Sequence, residues 1–193
     1  ARVSTDAARG PFDVSAIGLE DGVERIDLGG LIIAPAPGLE LRMQVAEADN
    51  SVQSVMLVNQ EGAVDLRAFA APRNGDLWSD VRKQMAAETS RQGGTATERE
   101  GNFGTELLCE LTVQTPDGQV GRQPSRVVGV NGDRWFLRAT FLGLPAVEPE
   151  RAEIWENAVR DLAVRRGTTP MAPGDAIEFV LPPQARRVDN AEG

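Results

Sequence analysis

The chain has 193 residues, 41% hydrophobic and 25% charged, and a net charge of −9. That is one domain's length and an ordinary globular composition, enough to bury roughly 70% of the unfolded surface without disulfides or metal. The negative balance repels nucleic acid and anionic membrane surfaces, so neither is an expected partner, and the absence of histidine excludes His-based acid–base catalysis, Ser-His-Asp and Cys-His nucleophiles and His-ligated zinc.

In chain order, residues 1–11 read as a flexible lead-in, 12–183 as a single domain and 184–193 as a flexible tail. The chain does not open on methionine, which reads as a trimmed or partial chain. "GPFDVSAIGLEDGVERIDLGGL" (10–31) is expected to be a loop-rich arm, with turns at Asp21-Gly22 and Gly29-Gly30 and one short strand near 31–34. Its acidic residues Glu20, Asp21, Glu24 and Asp27 lack EF-hand spacing and read as a solvated loop. Its glycines do not follow the dinucleotide-binding order.

"LELRMQVA" (39–46), "SVQSVMLVN" (51–59) and "AVDLRAFAA" (63–71) alternate apolar with polar residues and are joined by hairpin-sized turns. They predict an antiparallel meander with one apolar and one wet face. At 76–92 the period changes. Leu77, Val81, Met85 and Ala86 recur at helical spacing, Asp76 caps the start, and Gly93-Gly94 ends the run.

A second meander follows at 95–100, 103–114, 122–130 and 134–143, with turns at Pro116-Asp117-Gly118 and Asn131-Gly132. Cys109, the only cysteine, points inward between Leu107 and Leu111. A lone cysteine forms no internal disulfide, which fits a reducing, cytoplasmic setting. It also cannot build a thiolate zinc or iron–sulfur site within this chain. Residues 148–164 predict a second amphipathic helix, with Ile154, Trp155, Ala158, Val159 and Leu162 as its stripe and a last turn that fits a short strand equally well. An extended segment at 176–181 closes the pattern. The fold class is α+β: a largely antiparallel sheet of two meanders packed by two amphipathic helices. No apolar run reaches the ~18 residues of a membrane span, and no signal-peptide pattern is visible.

No catalytic residues, metal ligands or cofactor site emerge from these patterns. The binding candidates are Arg126, Arg134, Arg138 and Trp78. With Asn131-Gly132 as a two-residue loop, Val128 faces Trp135, Val127 faces Phe136, and Arg134 and Arg138 share the outer face. There they form an ion-pair ladder with Glu106 and Glu110, or a clamp for a carboxylate or phosphate. Trp78, in the loop entering the first helix, stacks on a ligand or packs. With nineteen arginines and one lysine, Lys83, no arginine is taken as selected for guanidinium chemistry on sequence alone.

The stretches "GPFDVSAIGLEDGVERIDLGGL", "FAAPRNGDLWSDVR", "FGTEL", "RWFLR" and "VRRGTTPMAP" together resemble an actinobacterial family known as domain of unknown function 3710, over about residues 10–183. The resemblance implies cytoplasmic proteins without established activity, cofactor or catalytic residues, so no functional residue is carried over. A strand "RWFLRATF", a proline-containing connection and a helix ending "VRDLAV" are similar, over about 35 residues, to the PsbP/Mog-like sandwich. That fold occurs in non-enzymatic binding and adaptor proteins. The expectation is therefore a non-catalytic domain that binds a protein partner or assists an assembly. The alternative is an anion-binding domain, or a His-free enzyme, with an arginine-lined cleft.

Overall fold

The computed structural model describes residues 10–16, 24–45, 48, 52–73 and 75–180. The tail 184–193, most of the lead-in, the Asp21-Gly22 turn with Glu20, and most of the 47–50 turn lie outside the described residues.

Strands β4 (Glu40–Val45), β5 (Val52–Val58) and β6 (Gly62–Ala70) form the first meander. β7 (Thr95–Gly101), β8 (Gly104–Gln114), β9 (Val120–Asn131) and β10 (Trp135–Gly143) form the second. The two join into one seven-stranded sheet of order β4-β5-β6-β10-β9-β8-β7, because β10 pairs antiparallel with β6 from Trp135↔Ala70 to Gly143↔Gly62. This seam is the one neighbour relation in the sheet that chain order does not supply.

The described parts of the 10–31 arm, 10–16 and 24–31, are more structured than expected. β1 (Phe12–Asp13), β2 (Ile26–Asp27) and β3 (Leu31–Ile33) join β11 (Ala163–Val164) in a second sheet of order β1-β11-β3-β2. Apolar alternation explains the packing between the layers. Leu57, Val64, Leu66, Leu137, Ala139 and Phe141 face the small sheet's Leu31 and Ile33 and the helix α3 (Glu153–Arg160) in one continuous core. Trp155 on α3 is fully buried, and its indole N–H donates to the Leu57 carbonyl at 3.1 Å. Each large apolar side chain so buried is worth roughly 1.5–3 kcal/mol.

The second helix is shorter than its apolar stripe. Pro149–Arg151 is a 3₁₀ turn, α3 spans eight residues, and Ala163–Val164 takes the strand alternative. An additional one-turn helix, α2 (Leu144–Val147), follows β10. Of the segment expected at 176–181, the described residues 176–180 contribute isolated bridges at Ala176 and Phe179.

Helix α1 (Leu77–Arg91) begins on Asp76, whose carboxylate accepts from the Ser79 N–H at 3.1 Å. It covers the opposite face of the large sheet through Trp78, with Leu107, Cys109, Val127 and Phe136 beneath it. The expected wet face is thus half covered. Phe136, which alternation places outward, is fully buried, stacked between Phe69 and Trp78 at centroid distances of 6.0 and 5.9 Å.

Candidate functional site

The hairpin joining β9 and β10 turns two residues later than its Asn-Gly signal. Gly132 N–H donates to the Trp135 carbonyl at 2.8 Å, leaving Asp133 and Arg134 as the loop. Val128 therefore faces Ala139, and Val127 faces Thr140. Two other demands on the Asn-Gly pair explain the shift. The Asn131 side chain is used at the start of α1, where its oxygen accepts from the Trp78 N–H at 3.2 Å and its amide donates to Asp76 at 2.9 Å. Gly132 lies against the Trp135 indole so closely that a Cβ would sit 2.1 Å from the ring. The left-handed turn position falls instead to Arg134, at φ 65°.

Arg134 is consequently not on the outer sheet face beside Arg138. Its charge lies near Asp13. Burial raises the Asp13 carboxyl's pKa, but hydrogen bonds from Ser15 and Trp135 and the Arg134 charge outweigh it and hold the group below its usual value.

The expected ladder with Glu106 and Glu110 forms with other partners. Glu106, 1% exposed, is held by Arg99 Nη2 at 2.6 Å and by Arg126 Nε at 2.8 Å, while Glu110 pairs with Arg122. Arg126 also reaches Glu156 on α3 at 3.1 Å and lies over the Phe141 ring at 4.7 Å. Two arginines and two carboxylates thus form a neutral network, buried except at Arg99, that ties β7, β8 and β9 to α3. At 3% exposure, Arg126 has no solvent-facing surface to offer a ligand.

Trp78 is likewise an anchor. It is 4% exposed, its indole N–H donates to the Thr105 carbonyl at 2.7 Å, and Arg82 lies 5.3 Å from its ring centroid.

Arg138 is the sequence candidate left facing outward. α1 packs over β7, β8 and β9 and, through Trp78, over Phe136 at the start of β10, and among the described residues no helix packs on the same face around Asp65, Arg67 and Arg138. On that open half Arg138 stands directly across from Arg67 of β6. The Arg138 guanidinium lies 5.2 Å from the Phe69 ring centroid and forms no hydrogen bond or ion pair with another described residue. Among the described residues Asp65 is the carboxylate that acts on both cations, 3.7 Å from Arg67 Nε and opposite Thr140. Ser54 lies in the same area on β5, 1% exposed, its hydroxyl donating to Gln44 Oε1 at 3.3 Å.

The electrostatics are frustrated. Burial pushes the Asp65 carboxyl up, against the pull of Arg67 and then Arg138. Burial, followed by the like charge of Arg67, pushes the Arg138 guanidinium down despite Asp65. Like charges directly across a sheet repel, and a half-buried cation pair with a single weak counter-ion is chemically suited to a second carboxylate or a phosphate.

Sequence reading found Arg138 and missed Arg67 and Asp65. Their alternation in "AVDLRAFAA" marks a polar face, but nothing local places that face beside β10. Open depressions among the described residues lie elsewhere. One of about 770 Å³ runs beside α3 between Asn102, Glu153 and Asp161, and one of about 660 Å³ lies between Arg165, Arg166 and Asp175. Among the described residues no group of three metal-ligating side chains is placed to hold a metal ion, and no helix is long and apolar enough to cross a membrane.

Fold and site together define an α+β domain in which a large antiparallel sheet is covered on one face and, among the described residues, carries an arginine pair on the half of the other face that no helix covers. The chain belongs to the family described as "Protein of unknown function (DUF3710)", whose model matches residues 10–188. No curated protein matches it. Among solved structures it is similar to a protein from Bacteroides thetaiotaomicron VPI-5482, at 12% identity and TM-score 0.46, over 86% of this chain and 55% of that one. The chain therefore spans about half the length of that relative. It is also similar to the cyanobacterial PsbP (CyanoP) of Synechocystis sp. PCC 6803, at 12% identity and TM-score 0.38, over 74% of this chain and 92% of that one. Both are weak similarities of fold.

Proposed function

We propose that this chain is a non-catalytic binding domain that takes an acidic segment of a protein partner on the open half of its large sheet. The observation that carries the reading is the Arg67–Arg138 pair: two guanidinium groups directly across a strand pair, with Asp65 as their one carboxylate among the described residues. A partner carboxylate between them supplies the missing counter-charge and relieves the cross-strand repulsion. Phe69 beneath Arg138 holds one face of that guanidinium and leaves its N–H edge for a bidentate contact. The reading treats residues 12–183 as one α+β domain.

The test is titration of the labelled protein with a hexaglutamate peptide at low salt, following the arginine Nε–H signals. The signals of Arg67 and Arg138 are expected to shift first. Arg138→Gln should weaken binding about tenfold, equivalent to roughly 1.4 kcal/mol. Asp65→Asn, which removes the competing carboxylate, should strengthen it. If only exposed arginines such as Arg122 respond, or if Arg67→Gln and Arg138→Gln bind the peptide like the parent protein, the reading is wrong.

A further inference from the structure

Each edge of the large sheet is a strand with one neighbour. β4 and β7 end the order, and among the described residues nothing pairs with their outer sides. The two edges differ in chemistry. β7 carries Glu98 and Arg99 on opposite faces, engaged by Arg82 and Glu106 respectively. A second strand added there meets committed charges on both sides, which is how edges are ordinarily protected.

β4 is different. Leu39, Leu41 and Met43 lie along one face, half-buried and packed against the core. Glu40 and Arg42 lie along the other, exposed, with Arg42 Nη2 3.3 Å from Glu40 Oε2. Antiparallel addition of an identical strand about a two-fold axis has one register for each residue placed on that axis. Centring on Glu40 opposes two glutamates, and centring on Arg42 opposes two arginines. Centring on Leu41 places Glu40 across from Arg42 of the second copy, and the reverse, as a ring of four alternating charges. The same register sets Leu39 across from Met43 and Leu41 across from itself, so the half-exposed apolar row continues without a break into the second molecule. The register shift at Gln44/Val45 limits the regular stretch to about this length.

From this complementarity we infer that two copies of the chain associate through β4, in the register that opposes Glu40 and Arg42. The interface is short, so the dimer is weak and salt-sensitive. It joins the two open sheet halves into one surface carrying both Arg67–Arg138 pairs, but it does not depend on those arginines binding anything.

Sedimentation equilibrium of the full chain, from micromolar to millimolar concentration at low salt, reads the association. The parent protein should rise from the mass of one chain toward two. Glu40→Arg and Arg42→Glu should each raise the dissociation constant at least about tenfold by opposing like charges, and the double variant Glu40→Arg/Arg42→Glu should restore it. A parent protein that stays monomeric throughout the range, single variants that associate like the parent, or a double variant that fails to recover would each overturn the inference. Hexaglutamate binding by the monomeric single variants keeps this outcome separate from that of the Arg67–Arg138 reading.

Discussion

Single residues here are decided by what surrounds them more than by their type. Arg126 and Arg138 lie on neighbouring strands, yet one closes a buried neutral network and the other stands half-exposed. Removing Arg126 leaves Glu106 and Glu156 as buried charges short of a partner. Arg126→Ala is therefore expected to cost about 3–5 kcal/mol in urea denaturation. Gly129 is constrained by space alone. A Cβ there would sit 2.3 Å from Trp78 and 2.7 Å from Phe136. Gly129→Ala should cost about 1–3 kcal/mol through overpacking and change the near-UV circular dichroism of the tryptophans. Glycine's meaning at this position was invisible in the sequence, because the helix it accommodates starts some fifty residues earlier.

Among the elements, α1 was legible nearly in full. Its cap, its stripe and its end follow from short-range rules, and Asp76, Leu77, Val81 and Met85 occupy the places those rules assign. The cap also sets a pH response. Hydrogen bonds from the Ser79 hydroxyl, then from the Ser79 N–H and Asn131, hold the Asp76 carboxyl below its usual 3.8. A depressed carboxyl contributes stability that is present above the unfolded value and lost as pH falls through the folded one. Hydrogen exchange in the first turn of α1 should accelerate, relative to the rest of the helix, as pH drops below about 4, and Asp76→Asn should flatten that dependence. The β9–β10 hairpin was misread by two residues for the opposite reason. Asn131-Gly132 has the composition of a tight turn, but both residues answer to distant partners, Asn131 to the start of α1 and Gly132 to the Trp135 ring. Turn chemistry is local only where nothing else claims the residues.

At the scale of the whole molecule, alternation revealed both meanders, both main helices and most of the core, because each strand's inner face repeats every second residue. It could not reveal that the meanders join edge to edge, and the candidate site rests on that join. Arg138 belongs to one meander, Arg67 and Asp65 to the other. The second sheet was hidden for a related reason. Strands of two residues, such as Phe12–Asp13 and Ile26–Asp27, are too short to show a period, and they exist because β11 and β3 are there to receive them.

The β6–β10 seam has a further consequence in time. A chain made from its N-terminus completes β6 long before β10, and everything in between, α1 and three strands, emerges while β6 still has an unsatisfied side. Contacts so far apart in sequence form late and slowly. For that interval the nascent first meander is a half-sheet whose β6 side lacks its partner strand, an edge on which wrong pairing can occur until the final hairpin arrives.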